Sequence, residues 1–484
     1  MESKIATRLR GKMAQAICLA LVVALLSACG SNESKHDSKA NEQSAVQETI
    51  VKYTGDPSKA IPYVYTTKRE LALTFNGMGD SGTMDKLLDQ LDTYRIKATF
   101  FLTGMRVAEE PGIAQDILLR GHEIENNTLN GYDMSKLSYD QIYKEIHLAN
   151  EVIEKETGVT PRYIRTASGD YNDDVRLAAA HNGLSAVISY SLFLHNWQDE
   201  TEIQKKNYIR KYINRGGIIS LDTEENQQIT ESISLIAEAA KDVGYSFVPL
   251  SQLVSEGGER KRLEEIEGYD AAGINADYTS TKYTLIDRKE TRRKEVALTF
   301  DDWGTDYTIT KILDILDKYG VKASFFLRAD GVEKNPNLAR SIAEAGHDVG
   351  NHTYSHSELN DLSALEIQSD IVKAHKVITE AIQEKPAMIF RPPTGAVTDE
   401  QAQIISAAGY HLIVDFDADP NDWNRSRTAD QIVAAIMEQS KSGSIILLHM
   451  LDDLHTIEAL PIAIEKLEAK GYSFVRVSDL IKEQ

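Results

Sequence analysis

Cysteine is almost missing from this chain of 484 residues: only Cys18 and Cys29 occur, both before residue 30. The body of the chain therefore has no disulfide framework and no thiolate zinc site. Any metal there must be held by imidazole and carboxylate. A basic excess is also missing. Lys and Arg number 53 against 74 Asp and Glu, a formal net charge of −21. A nucleic-acid partner needs a basic face for its phosphates, so the charge disfavours that class. Long apolar runs are scarce as well. The one candidate, residues 13–26, is shorter than the ~20 residues that span a bilayer. What is present describes a globular protein, 42% hydrophobic and 26% charged, long enough for two domains.

The short apolar run has the form of an export signal. Lys4, Arg8, Arg10 and Lys12 precede it, and it ends in Leu26-Ser27-Ala28-Cys29-Gly30. That ending resembles a lipobox. The resemblance implies a signal peptide over residues 1–28, Cys29 as the lipidated first residue, and a membrane lipoprotein exported to the extracytoplasmic face. Residues 29–60 begin polar and apolar-poor, which predicts a tether.

The rest of the chain is a duplication. Leu71-Ala-Leu-Thr-Phe75 recurs as Val296-Ala-Leu-Thr-Phe300, and Lys97-Ala-Thr-Phe-Phe-Leu102 as Lys322-Ala-Ser-Phe-Phe-Leu327. Gly121-His122 recurs as Gly346-His347, and Gly244-Tyr-Ser-Phe-Val248 as Gly471-Tyr-Ser-Phe-Val475. So long a period marks two whole domains, residues 61–255 and 291–484. The charged stretch 256–290 between them reads as a linker with a small helix near 260–267. Each copy alternates short apolar runs with helical stripes. In the second, residues 308–318, 337–345 and 362–382 read as helices, and 324–327, 388–390, 411–415 and 444–448 as strands. The predicted fold class is α/β: two tandem domains of repeated β-α units around a parallel sheet closed as a barrel.

Five segments of the second copy carry chemistry. The strand Val296-Ala-Leu-Thr-Phe300 ends on Asp301 and Asp302, two like charges that call for a cation or a shared proton. His352-Thr-Tyr-Ser-His356 places two imidazoles at i and i+4, which on a helical turn would grip one ion. Two His and one Asp leave positions open for water or substrate. Further groups follow other strands: Arg391 in Phe390-Arg-Pro-Pro-Thr-Gly395, the acids of Asp419-Pro-Asn-Asp-Trp423, and His449 after Ile445-Ile-Leu-Leu.

Together these segments resemble the polysaccharide deacetylase family, the metal-dependent carbohydrate esterases with a NodB homology domain. Thr-Phe-Asp-Asp, His-Thr-x-x-His, Arg-Pro-Pro-x-Gly, Asp-x-x-Asp-Trp and Leu-x-His occur in that order. The resemblance implies a distorted (β/α) barrel of seven strands. It implies Asp302, His352 and His356 as ligands of a divalent metal, zinc first, with cobalt, nickel or manganese as alternatives. Asp301 is then the catalytic base and His449 the acid, with Arg391 orienting Asp301 and Asp422 (rather than Asp419) tuning His449. Thr394 would offer its backbone N–H to the oxyanion, and Trp423 and Leu447 would line the acetyl pocket. The implied reaction is removal of acetyl groups from N-acetylglucosamine-containing polysaccharide, peptidoglycan first. An O-acetyl esterase on xylan or muramic acid, or a non-catalytic wall-binding lipoprotein, are the alternatives. Two departures, Thr394 after the prolines and Trp303 after the aspartates, predict an altered groove lining.

The first copy has lost this chemistry. Asn76-Gly77 stands for Asp301-Asp302, Asn127 for His352, Gly131 for His356, Phe193 and Asn196 for Asp419 and Asp422, and Asp222 for His449. Arg165 and Trp197 remain at the positions of Arg391 and Trp423. Amide and glycine supply neither base nor ligand there, so this domain is predicted inactive. Trp197 and Tyr190 suggest a remnant glycan groove, and a spacer is the plainer alternative.

Overall fold

The computed structural model describes residues 50–194, 200–224 and 229–482. The export signal, Cys29, most of the tether, Asn196 and Trp197 lie outside the described residues. Residues 50–484 form one compact unit containing both copies.

Each copy is a curled, wholly parallel sheet. In the first, the strands are β1 Lys59–Ile61, β2 Glu70–Asn76, β3 Thr99–Leu102, β4 Glu123–Asn126, β5 Tyr163–Ile164, β6 Ala186–Ile188, β7 Leu192–Phe193, β8 Ile218–Asp222 and β9 Ser246–Phe247. They run in the order β1-β6-β5-β4-β3-β2-β8-β7, with β9 added to β2. The second copy has β10 Thr284–Ile286, β11 Glu295–Asp302, β12 Ser324–Leu327, β13 Asp348–Asn351, β14 Ile389–Phe390, β15 Leu412–Val414, β16 Ile445–His449 and β17 Ser473–Phe474. Seven of them run in the order β10-β15-β14-β13-β12-β11-β16, with β17 added to β11. Isolated antiparallel bridges, Tyr63 to Gly217 and Arg288 to Ser444, link the residues after β1 and β10 to those before β8 and β16. The barrels are thus distorted, fastened there by isolated bridges rather than a full ladder.

The local reasons are ordinary. Strands such as Ser324–Leu327 are buried along their whole length, as parallel strands covered by helices must be. The helix Asp306–Lys318 buries Ile309, Ile312, Leu313 and Leu316 on one stripe, and Thr305 caps it by accepting from the Thr308 N–H. The helix Ala364–Ile382 opens on a Ser363/Glu366 capping box and stops at Gln383, whose φ is 61°.

Two boundaries differ from the sequence reading. The stretch expected as a linker supplies β10, which pairs with β15 in the second sheet. It also sends the Gly268 carbonyl to His375 Nε2 at 2.8 Å and packs Ala272 into the core beside Tyr410. The small helix expected there is one 3-10 turn, Leu263–Glu265. Its charges sit on the exposed side of a docked segment, which composition alone mistakes for a tether. The end of the expected tether is docked likewise, with β1 paired to β6 and the Ile50 N–H donating to Asp140.

The barrels share a polar seam. Asn337 Nδ2 donates to the Val64 and Arg215 carbonyls, and its Oδ1 accepts from the Thr66 N–H. Arg215 reaches Thr310 Oγ1 at 2.9 Å and lies 3.9 Å from Asp306, both charges being buried.

Candidate active site

Asp301 and Asp302 end β11 at the carboxyl rim of the second barrel. Adjacent residues of an extended strand point to opposite faces. Here Asp302 adopts φ 77°, the left-handed region, which breaks the alternation. Asp302 Oδ1 comes within 3.4 Å of His356 Nε2, and Asp301 Oδ2 within 3.9 Å of His352 Nε2.

The two histidines do not lie on a helical turn. They occupy the loop after β13, where Thr353 and His356 both have positive φ, 65° and 59°. The i, i+4 spacing works through a tight loop, not helical periodicity. Asn351 Oδ1 accepts the Thr353 N–H, Thr353 Oγ1 accepts the His356 N–H, and Asp370 accepts the N–H groups of Tyr354 and Ser355. These supporting groups escaped the sequence reading. The duplication carried a signal for them: Asn126 and Glu145 brace the matching loop of the first copy through Thr128 and Asn130.

Asp302, His352 and His356 each offer one ligand atom, all within 4.8 Å of one another. They fit a divalent cation. His352 Nδ1 donates to the Arg391 carbonyl at 2.8 Å, which leaves the Nε2 lone pair facing the carboxylates. Burial pushes the His352 pKa down to about 3, so the ring is neutral, as a ligand must be.

Arg391 is fully buried. It donates to Asp301 Oδ1 at 2.8 Å, to Thr299 Oγ1, and to the carbonyls of Val414 and Asp415, and its guanidinium stacks on Phe326. Burial raises the Asp301 pKa, and the Arg391 charge opposes that rise. Of the two acids in the fourth segment, Asp422 is the one that meets His449. Its Oδ1 lies 2.7 Å from His449 Nδ1, and its Oδ2 accepts from the His449 N–H and from Thr456 Oγ1. Burial disfavours the imidazolium, but the hydrogen bond and charge of Asp422 outweigh it and raise the His449 pKa to about 9. Asp419 only caps a turn, accepting from the Asn421 N–H.

Thr394 is exposed, at φ 62°. Trp423 is half exposed, and Leu447 is buried in β16. Trp303 is half-buried. It packs on the second barrel's core and lies over Gly331, where an added Cβ would meet its ring at 2.1 Å.

The first barrel keeps the frame without the reactive groups. Arg165 donates to Asn76 Oδ1 where Arg391 meets Asp301. Asn127 Nδ2 donates to the Arg165 carbonyl at 2.8 Å, reproducing the bond of His352. Burial pushes the Arg165 pKa down to about 9, and an amide at Asn76 brings no charge to oppose it. No cluster of three metal-capable side chains occurs there among the described residues.

The family model described as polysaccharide deacetylase matches residues 63–187 and again 288–413, more than half of the chain. A Bacillus cereus peptidoglycan-N-acetylglucosamine deacetylase is 35% identical over 193 residues, 39% of this chain and 89% of that protein. The Listeria monocytogenes peptidoglycan-N-acetylglucosamine deacetylase PgdA is 28% identical over 290 residues, and this chain spans 60% of its length. The solved peptidoglycan deacetylase PdaC of Bacillus subtilis is 32% identical, with a TM-score of 0.37, over 40% of this chain and 93% of that one. Matched in both its halves, the chain belongs to the polysaccharide deacetylase family, hydrolases of amide bonds whose members use a divalent metal.

Proposed function

We propose that the second barrel removes acetyl groups from N-acetylglucosamine units of a cell-wall glycan, peptidoglycan foremost, and that the first barrel is catalytically inactive. The observation that carries this reading is the pairing of two opposed proton-handling groups beside one three-ligand cluster. Asp301 is held by Arg391, and His449 by Asp422.

Asp302, His352 and His356 would hold a divalent cation, zinc first, which lowers the pKa of water and polarises a carbonyl. Asp301 takes a proton from the attacking water, and its burial makes it a stronger base than a surface carboxylate. The water oxygen bonds to the acetyl carbon and the C–N bond breaks. His449, protonated at neutral pH, gives its proton to the departing nitrogen. Acetate and a glucosamine amine result. Thr394 donates its backbone N–H to the developing oxyanion, and Trp423 and Leu447 receive the acetyl methyl. Cys29 would carry the lipid that anchors the enzyme to the membrane on its extracytoplasmic face, where the wall polymer is within reach.

An acetate-release screen over peptidoglycan, chitooligosaccharides and acetylated xylan tests this reading. Release from the N-acetylated polymers, lost on chelation and restored by a divalent metal, is expected. Release from xylan alone would favour the O-acetyl esterase, and no release from any of them the non-catalytic wall-binding lipoprotein.

A further inference from the structure

The loop that matches the His352–His356 loop, with the loop that matches the Arg391–Thr398 loop, encloses a different space in the first barrel. A cavity of about 500 Å³ lies between the loop after β4 and the loop after β5, lined by Gly131, Tyr132, Thr166, Ser168, Tyr171 and neighbouring residues. That volume falls within the roughly 300–1,000 Å³ of small-molecule sites. It opens at the carboxyl ends of the strands, where α/β barrels bind ligands.

The duplication shows how it arose, because the backbones still correspond. The turns Met134–Lys136 and Leu359–Asp361 follow the two loops. Gly169 and Gly395 share φ values of 77° and 76°, and Asn172 and Thr398 cap matching helices. In that register Gly131 replaces the His356 imidazole, and an added Cβ there would meet only Thr103 Cγ2, at 3.5 Å. Tyr132 stands where the second barrel has Ser357, and Tyr171 where it has Val397. Both rings are exposed, Tyr132 by 55% and Tyr171 by 39%. The first copy has thus lost the imidazole at Gly131 and gained two aromatic rings at the rim of the cavity that Gly131 lines.

The floor is pre-ordered. Thr166 Oγ1 donates to the Asp170 carbonyl, the Asp170 N–H donates to Ser168 Oγ, and the Tyr190 hydroxyl donates to the Ser168 carbonyl. Asp133 and Asp170 line the same cavity. Asp133 is engaged by Ser135 and Lys136, which leaves the Asp170 carboxylate to accept from hydroxyl or amine donors and to repel anionic chains. Apolar ring faces beside acceptors suit a pyranose, whose C–H face packs on an aromatic while its hydroxyls donate.

We propose that this cavity is a second, non-catalytic glycan site, which takes a hexosamine chain on Tyr132 and Tyr171 and holds the polymer while the second barrel works. It is lined by no residue of the second barrel, so it stands or falls apart from catalysis.

The test is retention of the full chain on insoluble N-acetylglucosamine polymer, in an Asp301→Asn background that suppresses turnover. A deacetylated polymer forms the second arm. Tyr132→Ala with Tyr171→Ala should lower retention at least tenfold on one or both arms, with thermal unfolding unchanged. Tyr132→Phe with Tyr171→Phe should restore it. In the otherwise wild-type chain, the alanine pair should leave acetate release from a short soluble oligosaccharide unaltered. Equal retention of the parent and alanine chains on both arms, or Phe variants as weak as Ala variants, would overturn the site. Absent acetate release with ring-dependent retention would overturn the catalytic reading and leave this one standing.

Discussion

Two of the three candidate ligands occupy backbone that L-residues avoid. Asp302 has φ 77° and His356 φ 59°, and the first copy has Gly77 at φ 77° and Gly131 at φ 71° in the matching places. Left-handed conformations cost a non-glycine residue about 1–3 kcal/mol. The chemistry is held there against that cost, and glycine relieves it where the chemistry is gone. In chelator, Asp302→Gly should therefore raise unfolding stability by about 1 kcal/mol while abolishing activity; a urea melt that shows destabilisation would contradict the strain account. The acid has its own signature. His449 acts while protonated, and its pKa near 9 rests on Asp422 working against burial. Turnover should fall as pH rises through about 9. Asp422→Asn removes the raising influence, so the alkaline limb of the kcat profile should move to lower pH, toward the ordinary histidine value of about 6.5. An unmoved limb would assign the acid elsewhere. At this scale the sequence was informative because strand ends carry reactive side chains. It was silent on Asn351, Asp370 and Thr456, whose work is to brace other groups through hydrogen bonds.

The elements that were legible are those with a strong period. The helices predicted over 308–318, 337–345 and 362–382 occur as Asp306–Lys318, Pro336–Glu344 and Ala364–Ile382, displaced by one or two residues, mainly where a cap sets the start. β10 was illegible for the opposite reason. Three residues carry no period, and charged neighbours make the segment look like a linker. A fragment cut at residue 291 should consequently expose the β15 edge and aggregate, whereas one cut at 259 should stay monodisperse in size-exclusion chromatography. The seam between the barrels is likewise a matter of elements. Arg215 and Asp306 are nearly water-free, and Asp306 opens the helix that follows the catalytic strand. Removing one member of such a pair leaves the other charge buried. Arg215→Ala should cost about 3 kcal/mol in denaturant unfolding, and Arg215→Ala with Asp306→Ala less than the sum of the two single losses.

Across the whole molecule, one duplication has divided scaffold from chemistry. Both barrels keep the sheet order, the buried arginine and its bonds to strand carbonyls. Only the second joins a base, an acid and a three-ligand cluster. The duplication was visible in the sequence because four segments repeat in order, and the loss in the first copy because amides and glycines stand where acids and imidazoles should. What could not be read there was the docking of the two copies, which depends on polar residues such as Asn337 whose partners lie hundreds of positions away. The most direct test is acetate release from N-acetylglucosamine oligomers by the metal-loaded full chain and by the same chain carrying Asp301→Asn. Loss of a general base predicts a 10²–10⁴-fold drop in kcat with the first barrel intact and retention on polymer unchanged. Release that persists near the parental rate would place the chemistry outside the second barrel's aspartate pair and contradict the account.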